Sequence, residues 1–541
     1  MQNQHAEQYN RFRGNIALPS LSIIPSQHFE NPSKLILYLY KKPFFEHILN
    51  STNNRIKEKV QNPDNRLVSI EELFEYQALN HLATSSFLKP AHMSIEKWFK
   101  NVNYLAKPLI GENVDLDLKM SYERFNFISK YIDTGEKVLV DKMVKGPGNR
   151  LVKCTRPNSS EPIKIYDMNK KVDGLINNLN GVVLRFKNPD DRFLTLDESF
   201  RKSFSKMDRM RTFMPGKPDK YGHKYQSLVD SDTYVHFFQF EHSAQFSNWT
   251  GTSDLLEYMI PDQYRNRGIT LCCDNFYFTF DNLKLLHSHG ISAFGTFRKN
   301  RMGKVMGHSL VNTLTKKMKK REFQRKIDIF ECRLNPNLYG QDQFIQFCFF
   351  WDRLDKVILF GLNDPRLFNT DDGSHKSKIL VGSEKPNIVL CYNEKKAFVD
   401  EVDRMMTQYT SVRPYRNGRC IRRFICNCWD FALNNAYILF RNHYKHTSNQ
   451  NSKYAKLLKN RKLRTAFYYE LLFGLIGFKR VVPDMEPNVP FCGPFKVRYC
   501  DFRPHDKRTR TQFICAKCSK NVCKSHSVPI CHDCYCKSNF T

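Results

Sequence analysis

The sequence predicts an α/β protein of more than one domain, and three observations lead there. Short apolar runs that end in aspartate alternate with helical patterns through the middle of the chain. The 541 residues are 41% hydrophobic and 13% aromatic, enough to bury several cores. Eight of the 17 cysteines crowd into the stretch from Cys492 onward and set off a small module there.

Charge narrows the partners. Lysine and arginine number 85 against 54 acids, a net charge of +31 that suits a polyanion, nucleic acid first. No apolar run of about 18 residues is long enough to span a bilayer, so no membrane partner is expected. Met1 to Asn15 is polar and lacks the apolar core of a signal peptide, which makes an intracellular protein the expectation. The scattered cysteines before the tail agree, because they do not form a disulfide framework.

In chain order, residues 1–68 read as a partly disordered N-terminal region with an apolar patch from Leu35 to Phe45. Ser69 stands three residues before Glu72, the capping-box spacing, and opens a helix; Ser121 caps a second over Met120 to Ile128. Leu194-Thr195-Leu196-Asp197-Glu198 brings an acidic pair, and Met214 to Gly222, with two prolines and two glycines, reads as a fixed loop. Tyr225 to Asp230 and Tyr234 to Phe240 make a hairpin, Leu255 to Arg265 a helix, and Gly268 to Asp274 a buried strand that delivers a carboxylate at its end. Phe280 to His289 is a helix and Ile291 to Phe297 a strand.

Between Arg298 and Lys326 eleven basic residues face one acid, Glu322. Arg298, Lys299, Arg301, Lys316, Lys317, Lys319 and Lys320 are the phosphate-contacting candidates of this arm. An apolar hairpin, Phe344 to Trp351 and Lys356 to Leu362, then interrupts the fold. Lys385 to Asn393 restores a strand, and Phe398 to Met406 begins a helix with Val399, Val402 and Met406 on its buried side. Asp400 and Asp403 share a face of that helix; acids there also suit the helix dipole. Ile421 to Tyr444 and Ala455 to Ile476 are two long packing helices.

Asp230, Asp274, Asp400 and Asp403 therefore form the candidate catalytic set. The first three are the candidate ligands for two Mg²⁺ (or Mn²⁺) ions, hard cations that prefer carboxylate oxygens. In the tail, Cys515, Cys518, Cys523, His526, Cys531 and Cys534 have zinc spacing, with Cys500 a seventh ligand. Lys507, Arg508 and Arg510 add positive charge within this module.

Several of these stretches, taken together, resemble the piggyBac transposase family. They are Thr195 to Glu198, Met214-Pro215, Lys217 to Gly222, Asp230, Cys273 to Tyr277, Gly295 to Asn300, Tyr392-Asn393, Val399-Asp400 and Asp403, with Met120 to Ile132 and Arg422 to Phe424. The resemblance runs from about residue 69 to the C-terminus. It implies a ribonuclease-H-like catalytic core interrupted by an insertion domain and flanked by helical DNA-binding and dimerisation segments, with a C-terminal zinc-binding cysteine-rich domain.

The corresponding divisions are 69–222 and 410–485 for the helical domain, 223–300 and 385–409 for the core, 301–384 for the insertion and 492–541 for the cysteine-rich domain. The implied activity is cut-and-paste transposition at TTAA, by a nuclear homodimer acting on double-stranded DNA at transposon ends and target. The implied catalytic aspartates are Asp230, Asp274 and Asp400, with Asp403 as an additional acid. Two zinc ions are implied in the tail, and where the family has a cysteine this chain has Arg503, so His505 is taken as the eighth ligand, with His532 and Cys536 as alternatives. The interval from Asp230 to Asp274 is short for the family and implies a trimmed strand in the core. Ala397 and Phe398 replace the family's glycines before Asp400, Phe424 replaces a tryptophan, and the acidic N-terminal arm is absent. The same resemblance admits a domesticated descendant, a nuclear DNA-binding protein with reduced or lost catalysis.

Overall fold

The computed structural model describes residues 18–477 apart from several stretches, the longest being 85–93, 111–117, 242–250, 316–326, 335–342 and 365–386, together with four two-residue strands beyond them. The chain divides into two units, 1–106 with 115–479, and 107–114 with 480–541.

The N-terminal region departs from expectation. Helix α1 (Pro32–Tyr40) buries Leu35, Ile36, Leu39 and Tyr40, a π-helical turn (Lys41–Glu46) follows, and α2 is His47–Lys59. Phe44 stacks on the buried Trp429 ring and Phe45 meets it edge-on, each with ring centroids 5.4 Å away. The apolar patch that sequence placed in a partly disordered region is thus a core element, because its aromatic rings find partners hundreds of residues away. Helix α3 (Ile70–Leu82) carries the complete Ser69/Glu72 capping box. Ser121 caps α4 (Tyr122–Tyr131) through the Arg124 amide, and α5 is Met168–Phe186.

The centre of unit 1 is a nine-stranded sheet. Its strands are β1 (Phe193–Lys202), β2 (Thr212–Phe213), β3 (Tyr221–Asp230), β4 (Val235–Glu241), β5 (Thr270–Cys273), β6 (Ser292–Thr296), β7 (Ile327–Leu334), β8 (Gln343–Arg353) and β9 (Lys356–Leu362). They lie in the order β7-β8-β9-β6-β5-β1-β3, with β2 and β4 both against β3. β5 runs parallel to β1 and β6; every other pairing in the sheet is antiparallel. The crossovers between the parallel strands carry α6 (Thr252–Met259) and α7 (Phe280–Ser288). The helix read over Leu255 to Arg265 stops at Met259, since Pro261 cannot continue it and a short 3-10 turn takes over.

Two faces of the sheet follow from the alternation of side chains. Leu194, Leu196, Leu228, Leu271, Cys273 and Ala293 point to one face and pack with α6, α7 and α8 (Lys299–Met306). Cys272 and Phe294 point to the other, where Ile388, Val389 and Tyr392 cover them. Those three residues belong to α9 (Asn387–Lys395), so the strand expected over Lys385 to Asn393 is a helix. Its apolar residues fall at i, i+1 and i+4, one helical stripe, and the β-branched run Ile388-Val389 disguised that period.

α10 (Ala397–Gln408) follows, with Val399, Val402 and Met406 buried as expected. α11 (Cys420–His446) is buried along most of its length. The helix read over Ala455 to Ile476 is divided into α12 (Lys453–Lys459) and α13 (Leu463–Leu475).

The apolar hairpin does not interrupt the sheet. β9 pairs with β6 through Phe294↔Leu362, Gly295↔Gly361 and Thr296↔Phe360, extending the same surface that carries Asp274. Among the described residues no helix is long and apolar enough to cross a membrane. In the second unit, Arg498–Tyr499 pairs with Arg510–Thr511 and Phe513–Ile514 with Asn521–Val522.

Candidate active site

The site begins with the register of three strands. β1 and β5 run parallel with Leu196 beside Cys273, so Asp197 and Asp274 are the next neighbours. Ser227 of β3 lies opposite Asp197. Gly295 helps bring the strands together, since a Cβ there would collide with the Cys273 carbonyl. Beyond β5 the Asp274 carboxylate accepts the Phe276 amide at 2.6 Å, which turns the chain away and leaves the carboxylate half-buried at the strand end.

The third carboxylate arrives on α10, which runs alongside β1 in the same direction. Thr195 Oγ1 donates to the Lys395 carbonyl at 2.8 Å. About two turns of helix beyond Lys395, the last residue of α9, Ser199 Oγ and the Phe200 amide both donate to Asp403 of α10, the amide at 2.9 Å. Arg201 then reaches the Asp403 carbonyl and Thr407 Oγ1, each at 3.4 Å. Asp400 lies between these anchors, level with Asp197, and is 71% exposed with Lys217 Nζ 3.7 Å away.

Electrostatics mark the centre of the cluster. Burial, and then the Asp274 and Asp400 carboxylates, push the Asp197 carboxyl up to about 7 against the pull of the Glu198 amide and Lys217. Burial also raises Asp274, aided by Glu198 and opposed by the Phe276 amide and Arg298. Burial, with like charges nearby, is the ordinary reason for such a rise, and a cation is its ordinary remedy. Among the described residues, no group of three histidine, cysteine, aspartate or glutamate side chains is placed to hold a metal ion. The donor chemistry nonetheless fits a hard divalent cation: carboxylates arrive from β1, the end of β5 and α10, and the one on β1 feels the charge of the other two.

Asp230 is elsewhere. It pairs with Leu194, three rungs behind Asp197, and by strand alternation projects from the opposite face of the sheet. Its Oδ1 accepts the amides of Asp232 (3.0 Å) and Tyr234 (2.9 Å), which closes the β3–β4 turn. Its Oδ2 is 3.0 Å from His236 Nε2 and 3.1 Å from Lys187 Nζ. Burial would raise this carboxyl, but His236, Lys187 and the Tyr234 amide outweigh it and hold the group below the usual range. The correction has a simple cause: a strand-end aspartate is also what a hairpin turn uses. Asp403 is likewise bound up with β1 and acts as an anchor for α10.

Asp197 is the residue that the sequence reading missed. Leu194 and Leu196 alternate with Thr195, Asp197, Ser199 and Arg201, a half-buried strand whose polar edge carries an acid. That pattern was available, and counting from Asp197 removes the reason for supposing a trimmed strand. Glu198, on the other face, pairs with Lys224 at 2.6 Å.

The basic candidates divide. Arg298 Nε donates to Asn275 Oδ1 at 2.9 Å, and Arg301 Nη1 to the carbonyls of Asn275 and Phe276 at 2.7 and 2.9 Å, so both brace the loop that follows Asp274. Burial first, then Arg298, lowers the Arg301 guanidinium. Lys299 is exposed at the start of α8. Lys316, Lys317, Lys319, Lys320, Lys507 and Arg508 lie outside the described residues, as do all the zinc candidates, Cys500, His505, Cys515, Cys518, Cys523, His526, Cys531 and Cys534. Arg510 lies on one of the short strands of the second unit.

Comparison with known proteins gives one result from three directions. Residues 31–437 match the family model described as Transposase IS4. The human piggyBac transposable element-derived protein 3 is 24% identical over 289 residues, covering 51% of this chain and 44% of that protein. The human chimeric ERCC6-PGBD3 protein is also 24% identical over 289 residues, 25% of its length. The match therefore spans less than half the length of these curated relatives. A cryo-EM structure of a piggyBac transposase synaptic complex with hairpin DNA superposes with a TM-score of 0.57 at 17% identity, over 93% of this chain and 97% of that one.

Proposed function

We infer the function from one premise: this chain belongs to the IS4-type transposases of the piggyBac family. On that premise it is a DNA transposase that cleaves and rejoins phosphodiesters by cut-and-paste transfer at TTAA, and Asp197, Asp274 and Asp400 are its catalytic carboxylates. The observation that carries this reading is the convergence of those three acids from β1, β5 and α10, with Asp197 pushed up by burial first and then by the other two.

These carboxylates would hold Mg²⁺ or Mn²⁺, which supplies activation of a water or 3′-hydroxyl and charge stabilisation of the leaving oxygen. The chain's own contribution is placement. Asp403 fastens α10 to β1 and so fixes Asp400 one turn away; Arg298 and Arg301 brace the loop behind Asp274. A mixed α/β architecture with a long central sheet supports a ribonuclease-H-like core, with β7 to β9 as an insertion built onto its edge. The net charge of +31 supports double-stranded DNA as the partner, both transposon ends and target. The need to hold two ends supports a homodimer, and a chromosomal substrate supports a nuclear location. The cysteine spacing of the tail supports two Zn²⁺ ions and contact with DNA there.

A plasmid excision assay tests the reading. Wild type should excise in Mg²⁺, and Asp197→Asn and Asp274→Ala should not. Excision by either variant at the wild-type level would refute the assignment. A second reading, a DNA-binding protein without turnover, is favoured by relatives named as element-derived proteins; it predicts DNA binding with no excision by wild type.

A further inference from the structure

Lys217 stands at the tip of the braced β2–β3 hairpin. Phe213 pairs with Tyr221 and Thr212 with Gly222. Within the loop, the Met214 amide donates to the Lys220 carbonyl at 2.9 Å and the Lys217 amide to the Met214 carbonyl at 3.3 Å. Lys220 Nζ donates to the Pro215 carbonyl, and Pro215 itself fixes φ. This bracing turns Lys217 back over β1. Its ammonium lies 3.4 Å from the Glu198 carbonyl and 3.7 Å from the Asp400 carboxylate, with the side chain 28% exposed.

Two features set Lys217 apart from the other cations nearby. Arg298 and Arg301 are committed to Asn275 and the carbonyls beside it at 2.7 to 2.9 Å, whereas the Lys217 ion pair is longer than a hydrogen bond and open to solvent on one side. An ammonium and a divalent ion also repel each other strongly when both sit within a few ångströms of one carboxylate. A DNA phosphate offers this ammonium an alternative partner, because lysine binds phosphate as a mobile point charge.

We propose that Lys217 is an exchangeable counter-cation of the carboxylate centre: it neutralises Asp400 and its neighbours in the DNA-free protein and moves to a DNA phosphate when DNA binds, so that DNA tightens metal binding. The proposal rests on the reading that Asp197, Asp274 and Asp400 hold divalent ions. Coupling of this kind is reciprocal, so metal also tightens DNA binding by the same factor.

The test is a Mn²⁺ titration of the full chain followed by the free-ion electron paramagnetic resonance signal, with and without mixed-sequence duplex DNA at low salt. For wild type, DNA should tighten Mn²⁺ binding about tenfold, equivalent to about 1.4 kcal/mol. Lys217→Met should bind Mn²⁺ about tenfold more tightly than wild type without DNA and gain little when DNA is added. Lys217→Arg should retain the coupling; circular dichroism melts confirm that each variant is folded. A Lys217→Met protein that titrates like wild type in both conditions overturns the proposal, provided that Asp274→Asn has lost the Mn²⁺ site. If Asp274→Asn binds Mn²⁺ as wild type does, the metal reading itself falls and the proposal falls with it.

Discussion

Asp230 and Asp274 have the same signature in the sequence, an aspartate closing a short apolar strand, and they have opposite environments. Both oxygens of Asp230 are satisfied, by two turn amides on one side and by His236 and Lys187 on the other. Asp274 is half-buried among acids and is raised instead of lowered. A carboxylate whose surroundings stabilise its charge is doing structural work. One whose surroundings destabilise it is held there at a cost, which marks a site where another cation belongs.

The largest effect should separate these two directly. Asp274→Asn and Asp197→Asn should each lower the DNA cleavage rate about 10³-fold or more, corresponding to about 4 kcal/mol, while leaving the melting temperature at or above that of wild type. Asp230→Ala should do the reverse. It removes the fully buried carboxylate between His236 Nε2 and Lys187, leaving Lys187 with Asp190 and Asp232 and His236 with the Tyr264 hydroxyl, and should cost about 3 kcal/mol of stability, read by chemical denaturation. Protein that remains folded should still cleave. An Asp230 variant of full stability and no activity would break the comparison.

That contrast also shows what the chain discloses before it folds. The caps at Ser69 and Ser121 and the buried stripe Val399, Val402 and Met406 are local features, and each was readable because its partners lie within a turn or two. Asp274 was found because its strand is uniformly apolar. Asp197 was harder, since the strand that carries it is half-buried and the acid lies on the polar edge. Only the pairing of Leu196 with Cys273, across a long sequence separation, makes it a neighbour of Asp274. The helix at Asn387–Lys395 and the packing of Phe44 and Phe45 on Trp429 share that cause. Tertiary contacts selected one local structure where the sequence permitted two.

A second buried carboxylate extends the Asp230 side of the comparison and introduces pH. Asp208 accepts from Ser203 Oγ at 2.6 Å and from Arg423 Nη1 at 2.9 Å, with His223 Nε2 also at 2.9 Å. Burial would raise its carboxyl, but His223, Ser203 and Arg423 win and hold it far below the usual range. A depressed folded value gives stability that is complete above the unfolded value of about 3.9 and is lost as pH falls toward the folded one. Asp208→Asn should therefore cost about 2–3 kcal/mol at pH 7, the strength of a hydrogen-bonded charge. The gap from wild type should close as denaturation is repeated below about pH 4. A gap independent of pH would mean that packing, not charge, holds this network.

The smallest effect concerns the anchor between the two kinds of carboxylate. Ser199 Oγ donates to Asp403, one turn along α10 from Asp400, and the Phe200 amide donates to the same group. Ser199→Ala removes one of these bonds and keeps the other, so its stability cost should be about 1 kcal/mol. If Asp403 serves to place Asp400, the same variant should also slow cleavage, because a small tilt of α10 moves the Asp400 carboxylate relative to Asp197. A titration of rate against Mg²⁺ separates the roles. Loss of placement should raise the Mg²⁺ concentration needed for half-maximal rate, and saturating Mg²⁺ should recover most of the wild-type rate. A stability loss with an unchanged Mg²⁺ profile would make Asp403 a packing residue and detach it from the site altogether.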